Sequence, residues 1–319
     1  MVLAALTSSY NYLYSALQEA TISILKQGPI PRHIGFVLDG NRRFARAHGA
    51  KSTQFGHYEG FRQLEKVLEL CMKLGLEAVT VFAFSIENFK RSKEEVDYLM
   101  QLFCEAFVEI CDKNEVVKEY GIAVRFMGNL DLLPDHVAEL ARRAEELTKH
   151  NTKRIFNICC PYTSRDEMTT AIRKTVKDVE TGRLRTRDID EHVINRNLFT
   201  SHSPPLDILV RTSGEIRLSD FLLWQCSKDC HVQFVNCYWP EFTLWRFLVV
   251  LLEYQLNYRD IMANRSAEIV PVQRRRRSGS DSSSSSDTLV GDDTLVGEDY
   301  ANQIELLAVE ESTQVNSDA

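Results

Sequence analysis

The strongest limit on what this chain can fold into is an alternation that begins at residue 32. Six short apolar runs, at 34–38, 78–84, 123–127, 155–159, 207–210 and 232–235, are separated by stretches with helical spacing. The stretch 58–74 places Phe61, Leu64, Val67, Leu68 and Cys71 on one face, and 94–120 does the same with Val96, Leu99, Met100, Phe103, Phe107, Ile110 and Cys111. Further helical patterns cover 135–149, 166–180 and 242–255. Strand, helix, strand, helix predicts an α/β fold: a mainly parallel central sheet of about six strands, flanked by helices. Ligands of such sheets sit beyond the carboxyl ends of the strands. The residues just after each run are therefore the ones to read for chemistry.

The first run ends on Asp39, Gly40, Asn41, Arg42 and Arg43. An Asp beside an Arg is most often a structural ion pair. Here the glycine lets a ligand approach the backbone, and two guanidiniums with helix-start amides make an anion site. Asp39 would repel an anion unless a cation lay between them, and Mg2+ shared between one carboxylate and phosphate oxygens is a common arrangement. The segment reads as a Mg2+–diphosphate site with Asp39 as the metal ligand. The second run is followed by Ser85, Glu87, Asn88 and Arg91, which alone would be a helix cap with Ser92 and Glu95 nearby. The fifth is followed by Arg211, Arg217 and Ser219, two cations and a hydroxyl that suggest a second anion site. No GxxxxGK[ST] or GxGxxG loop is present, so the two phosphate-bearing ligands are not obviously nucleotides. His57, as a lone histidine, is most often structural; beside two diphosphates it can donate to an oxygen or assist a leaving group.

The segments HIGFVLDGNRRFA, FGH, AFSIENFKRS, DILVRTSGEIRLSDFLLWQ and WPEF resemble, in content and order, the cis-prenyltransferase family, also called undecaprenyl diphosphate synthases. The resemblance covers roughly residues 30–256 and is nearest the eukaryotic, dehydrodolichyl diphosphate synthase branch. It implies an enzyme that adds isopentenyl diphosphate units in cis to farnesyl diphosphate, with Mg2+, for dolichol synthesis and protein glycosylation. By the same resemblance Gly40, Asn41, Arg42, Arg43, His57 and Arg91 bind the allylic diphosphate, and Arg211, Arg217 and Ser219 bind isopentenyl diphosphate. Asp39, Asn88, Ser85 and His57 are the implied catalytic set, with Glu87 bordering the reacting carbons and Asn88 and Asp39 as candidates for proton removal. No DDxxD motif of the trans-type synthases is present. A long apolar product implies a hydrophobic tunnel, for which Leu99, Phe103 and Phe107 are candidates, although each taken singly reads as a core residue. The region from Glu95 to Gly121 is slightly longer than in short-product bacterial relatives, which points to longer chains.

Three departures from the family pattern stand out. Cys230 occupies the place of a bacterial Glu that helps to hold Mg2+. The stretch NYRDIMANRSAEI after Trp245 holds no basic-x-Gly motif. Thr53 stands where an Arg is often found, with Lys51 close by. The first two are typical of catalytic subunits that borrow the C-terminal motif from a Nogo-B-receptor-like partner, so a heteromer, weak or inactive alone, is expected. A non-catalytic scaffold subunit is the alternative, but such subunits lose the Asp and the arginines that are retained here. A generic phosphate-binding hydrolase would need a nucleophile or a carboxylate pair beside Asp39, and the sequence offers none.

The remaining segments set domain limits and location. Residues 1–29 form an amphipathic helix with Leu3, Leu6, Tyr10, Leu13, Leu17, Ala20 and Ile24 on one stripe, stopped by Gly28, Pro29 and Pro31. It packs on its own domain or lies on a membrane or partner; both readings stand. A secretory signal is not expected, because a basic start and a long apolar centre are lacking. No transmembrane segment is found. The catalytic domain is assigned to 30–262, and 263–319, with its Arg274–Arg277 block, serine run and acidic DTLVG repeats, to a disordered tail open to kinases. The net charge of −7 gives no support to nucleic-acid binding. The eight cysteines, without a CxxC pair, suit a reducing compartment, and Cys226, Cys230, His231 and Cys237 lack common zinc spacing. A peripheral enzyme at the cytosolic face of the endoplasmic reticulum membrane is expected, with lipid droplets as a variant.

Overall fold

The structure, a computed structural model, describes residues 2–112, 115–227 and 229–268. The expected tail from 269 onward, with its kinase sites, lies outside the described residues. In chain order the helices are α1 (Val2–Leu25), α2 (Asn41–Ala47), α3 (Gln54–Leu74), α4 (Lys93–Asp112), α5 (Glu115–Tyr120), α6 (Asp135–Thr148), α7 (Ser164–Glu180), α8 (Glu191–Asn197) and α9 (Leu244–Glu268). The strands are β1 (His33–Val37), β2 (Ala78–Phe82), β3 (Ile122–Met127), β4 (Arg154–Cys159), β5 (Ile208–Arg211) and β6 (His231–Phe234).

The six strands form one sheet in the order β3-β4-β2-β1-β5-β6, and every pairing is parallel. The expected α/β architecture is the one observed. All five residues of β1 are buried, as a central strand covered on both faces requires. The chain moves from β1 to one side through β2 and to the other through β5, so the crevice at the carboxyl ends of these strands is the switch point where ligands collect. On one face Phe36 packs against Trp239, Phe242 and Phe247 with ring centroids 5.8, 5.9 and 5.9 Å apart. On the other, Phe82 stacks on Phe221 at 4.7 Å. The edge strand β3 is sealed by side chains after and within α6: the Val124 and Phe126 amides donate to Thr148 Oγ1 and Glu145 Oε1, and Asn151 Nδ2 donates to the Ile122 carbonyl.

Two limits drawn from sequence shift. Helix α9 continues past 262 to Glu268, because Arg265 is tied into the fold: its Nη1 donates to the buried Asp207 at 2.6 Å, and its Nη2 to the Leu206 and Asp229 carbonyls. In α1 the residues that pack inward are Ile22 and Leu25, while Leu13, Leu17 and Ile24 of the apolar stripe are 69%, 53% and 72% exposed. The packed end of α1 is held by Tyr14 against Trp245 and by Gln255, whose amide donates to the Leu25 and Pro29 carbonyls.

A buried polar relay crosses the sheet at His33. Its Nδ1 donates to the Pro204 carbonyl at 2.8 Å and its Nε2 meets the Thr80 hydroxyl at 2.7 Å, which also accepts from Asn157 Nδ2. Burial, against weaker opposition from the Pro204 bond and Asp207, pushes the His33 pKa down from 6.5 to about 4. The unfolded chain therefore binds a proton that the folded chain refuses. The stability held by neutral His33 is full above pH 6.5 and is lost as pH falls toward 4. The loss reaches about 3 kcal/mol at about 1.4 kcal/mol per pH unit. Denaturant unfolding at pH 7 and near pH 4.5 is expected to show a steep fall for the natural chain and a flatter one for His33→Gln. Equal falls would assign the acid sensitivity to other groups.

Candidate functional site

The carboxyl ends of β1, β2 and β5 open into one cavity of about 620 Å3. Asp39, Asn41, Arg42, His57, Ser85, Glu87, Asn88, Arg91, Arg211, Arg217 and Ser219 all line it. Three separated sequence segments thus converge on one space. Gly40 and Arg43 of the expected diphosphate set, and Lys51, Thr53 and Cys230, are not among the lining residues. Cys230 precedes β6 at the opposite end of the sheet, where burial pushes its thiol pKa up. Among the described residues no group of three or more His, Cys, Asp and Glu converges to hold a metal, and Cys226, Cys230 and Cys237 are free thiols.

One rim of the cavity is a chain of alternating charge. Arg211, with a side chain only 4% exposed, donates from Nη2 to Asp39 Oδ2 at 2.8 Å. Asp39 Oδ1 lies 3.4 Å from Arg43, Arg43 donates to Glu215 at 2.7 Å, and Glu215 reaches Arg217 at 3.1 Å. Arg211 Nη1 also donates to Ser219 Oγ at 2.7 Å and to the Arg217 carbonyl. Burial works to raise the Asp39 pKa, but Arg211, Arg43 and the Gly40 amide together outweigh it and hold the carboxyl below its usual range. Asp39 is ionised at neutral pH.

The second rim comes from α2, α3, the turn before α4 and the first turn of α4. Its hub is Glu95, whose carboxylate lies 2.9 Å from Arg91, 3.4 Å from His57 Nε2 and 3.6 Å from Arg42. Desolvation, opposed by Glu95 and reinforced by Arg91 and Arg42, lowers the His57 pKa, so the imidazole is neutral. Ser85 and Asn88 are fixed by a reciprocal cap of the 3-10 helix Ile86–Lys90: Ser85 Oγ accepts from the Glu87 amide and Asn88 Oδ1 from the Ser85 amide. That leaves the Asn88 amino group to meet a ligand. Within each rim the guanidiniums outnumber the carboxylates, three to two and two to one. Asn41 Oδ1 and Arg211 Nε are buried without a hydrogen-bond partner, and His57 Nε2 has only the 3.4 Å approach of Glu95.

Asp39 fits a shared cation through Oδ1, which Arg43 approaches only to 3.4 Å, while Oδ2 is taken by Arg211; phosphate oxygens and water would supply the remaining ligands and screen the guanidiniums.

Sequence reading missed Glu95 as anything beyond a cap, and missed Glu215, Arg165 and Asp220. The spacing of Arg91 and Glu95, one helical turn apart, was the available signal for the first. The inner end of the cavity is apolar, walled by Phe61, Leu64, Leu99, Leu102, Phe103 and Ala106. A second cavity of about 250 Å3 shares Phe61, Leu64 and Ala106 and runs on to Ile110, Val116 and Val117, with Glu65 and Glu109 in its lining. Phe107 lines neither; it is a core residue between Phe103 and Phe126, with ring centroids at 5.8 and 4.6 Å.

Comparison with known proteins places the cavity in context. The family model for undecaprenyl diphosphate synthase matches residues 37–261. A dehydrodolichyl diphosphate synthase complex subunit of Schizosaccharomyces pombe is 47% identical over 241 residues, 76% of this chain and 91% of that protein. The corresponding human complex subunit is 43% identical over 255 residues, 80% and 75% of the two chains. The crystal structure of lavandulyl diphosphate synthase from Lavandula x intermedia, in complex with dimethylallyl diphosphate, superposes with a TM-score of 0.63 at 31% identity, covering 70% of this chain and 95% of that one.

The backbone at Gly40 gives a test of how tightly the site is built. Its φ is +105°, and a Cβ there would overlap the Ser213 hydroxyl and the Tyr238 ring. Gly75 has φ +99° with open space around it. Gly75→Ala is expected to cost about 1–2 kcal/mol from backbone strain alone. Gly40→Ala is expected to cost more and to abolish binding of inorganic diphosphate, read by calorimetry. Equal costs with binding intact would show that the Asp39–Asn41 turn is not held by Ser213 and Tyr238.

Proposed function

The chain belongs to the undecaprenyl diphosphate synthase family of prenyltransferases, and from that membership we propose how its cavity works. The enzyme is a cis-prenyltransferase. It condenses isopentenyl diphosphate units onto farnesyl diphosphate and builds the polyprenyl (dehydrodolichyl) diphosphate used for dolichol synthesis and protein glycosylation. The observation that carries this reading is a single cavity with two cationic rims at one end and apolar walls at the other.

Asn41, Arg42, Arg43, His57 and Arg91, around the Gly40 turn, bind the allylic diphosphate. In doing so it competes with Glu95 for Arg42 and Arg91, and the neutral His57 offers an N–H without adding charge. Arg211, Arg217 and Ser219 bind the isopentenyl diphosphate. Carbocation character develops at the allylic carbon as its diphosphate leaves, and guanidiniums already in place stabilise the departing charge. Holding both substrates in one cavity supplies much of the remaining rate. Mg2+ held by Asp39 would neutralise phosphate charge there. Asp39, with a lowered pKa, is a weak base and acts through its charge. Asn88 has no basic site, and its amino group and the Ser85 hydroxyl orient the reacting ends, which leaves a diphosphate oxygen as the acceptor of the proton lost. The apolar walls around Phe61, Leu99 and Phe103 receive the growing chain, and the second cavity extends its path as a hydrophobic tunnel.

The relatives' names describe complex subunits, and this chain has no basic-x-Gly motif between Trp245 and Ile269, the only such run beyond being Arg277-Ser278-Gly279 in the basic block. It works as a heteromer with a Nogo-B-receptor-like subunit that supplies the motif. Among the described residues no helix is long and apolar enough to cross a membrane. The exposed Leu13, Leu17 and Ile24 stripe of α1 supports a peripheral position on the cytosolic face of the endoplasmic reticulum, where the apolar product is released.

Removing the Asp39 side chain outright would leave the buried Arg211 without charge partner or acceptor there, which costs several kcal/mol; Asp39→Asn also removes the charge but keeps an amide oxygen for Arg211 to donate to, so it is the milder test. Incorporation of labelled isopentenyl diphosphate is expected to fall by roughly two to three orders of magnitude, with binding of the allylic diphosphate kept within a few-fold. Undiminished incorporation contradicts the assignment of Asp39, and binding without any condensation in the natural complex favours a scaffold subunit.

A further inference from the structure

The loop that carries Arg217 and Ser219 is bent against its own backbone preference. Ser219, Asp220 and Leu222 have φ of 50°, 62° and 46°. Side chains are uncommon in that region, at a cost of about 1–2 kcal/mol each. Three such residues within four positions persist only where their surroundings over-determine them.

The over-determination comes from the first turn of α7. The Ser164 amide donates to the Asp220 carbonyl at 2.7 Å. The Arg165 amide donates to Asp220 Oδ1 at 3.1 Å, and Arg165 Nε to Asp220 Oδ2 at 2.7 Å. The Leu223 amide donates back to Ser164 Oγ at 2.9 Å. Four hydrogen bonds therefore join residues 164–165 to 220–223. On its inner side the same loop presents Ser219 Oγ and the Arg217 carbonyl to Arg211. Arg165 also lies 3.9 Å from Glu87, at the Ser85–Asn88 turn, and both Arg165 and Asp220 line the cavity. A carboxylate on an anion-binding loop is unfavourable unless neutralised, and Arg165 neutralises Asp220 through one guanidinium bond from Nε and one bond from its backbone amide.

We propose that Asp220 and Arg165 form a positioning latch that holds Arg217 and Ser219 in their anion-accepting arrangement before substrate arrives. The latch rests on the reading of Arg211, Arg217 and Ser219 as the isopentenyl diphosphate subsite. Neither latch residue performs chemistry; both act through the loop. Its signature is selective. Weakening it impairs the second substrate and leaves the allylic rim, built from α2, α3 and α4, intact.

The test is steady-state kinetics of the full chain with its partner subunit, varying each substrate in turn. Asp220→Asn keeps an acceptor oxygen and a residue tolerated at positive φ but removes the charge. Arg165→Lys keeps the charge and the backbone amide bond but removes the Nε bond, on a side chain 71% exposed, so it carries the test if Asp220→Asn proves unstable. Each variant is expected to raise KM for isopentenyl diphosphate about five- to tenfold and to hold KM for the allylic diphosphate within twofold. The double variant is expected to be no worse than the poorer single one, as for two residues acting as one unit. Unchanged KM values in active protein overturn the latch alone. Parallel rises for both substrates, or additive effects in the double variant, show a general structural role and also overturn it. A natural complex that incorporates no isopentenyl diphosphate overturns the reading of the cavity and the latch with it.

Discussion

A guanidinium buried at the end of a central strand must be neutralised, and the pairing of Arg211 with Asp39 does this at 2.8 Å. Taking two charges out of water costs several kcal/mol per ion, and mutual attraction offsets it only with good geometry and further hydrogen bonds. Both conditions are met. Parallel pairing of β1 and β5 sets Val37 beside Arg211, so Asp39 arrives two residues later within reach. The Thr212 and Ser213 hydroxyls donate to the Asp39 carbonyl, each at 2.8 Å, and the Trp239 amide donates to it at 3.0 Å. The backbone around the pair is fixed from three directions. Arg43, Glu215 and Arg217 then follow as a relay of compensating charges. The surplus positive charge of this rim is thereby held in place by the fold itself.

The same constraint explains how polar and apolar functions share one cavity. The cationic rims lie where strands end and backbone groups are free of the sheet. The apolar walls lie between α3 and α4, whose facing sides are built from Phe61, Leu64, Leu99 and Phe103. Glu95 joins the two halves: it begins the helix that walls the apolar end, and its carboxylate organises Arg42, His57 and Arg91 at the polar end.

The strands were legible in the sequence because each apolar run is short and bounded by polar residues, and the runs at β1, β2 and β5 are followed by the polar side chains that line the cavity. Asp39, Arg91 and Arg211 could be chosen that way. Asp220 could not, because its meaning depends on Arg165, 55 positions earlier, and no local spacing encodes that meeting. The stripe on α1 misled in a different way: a three-four spacing identifies an apolar face but not what covers it, and here Ile22 and Leu25 face inward while Leu13 and Leu17 do not. Phe107 shares helical phase with Phe103, yet Phe126 on β3 claims it for the core. The end of the fold was misplaced because Arg265 looks like the start of a basic tail until Asp207 is seen opposite it.

The decisive measurement is incorporation of labelled isopentenyl diphosphate into long lipid, with farnesyl diphosphate and Mg2+, using the purified chain alone and with a Nogo-B-receptor-like subunit added. A long polyprenyl diphosphate formed only when both subunits are present is the predicted result. Full activity of the chain alone would contradict the borrowed C-terminal motif while keeping the chemistry. No product under either condition, from folded protein, would contradict the assignment of this cavity to prenyl transfer.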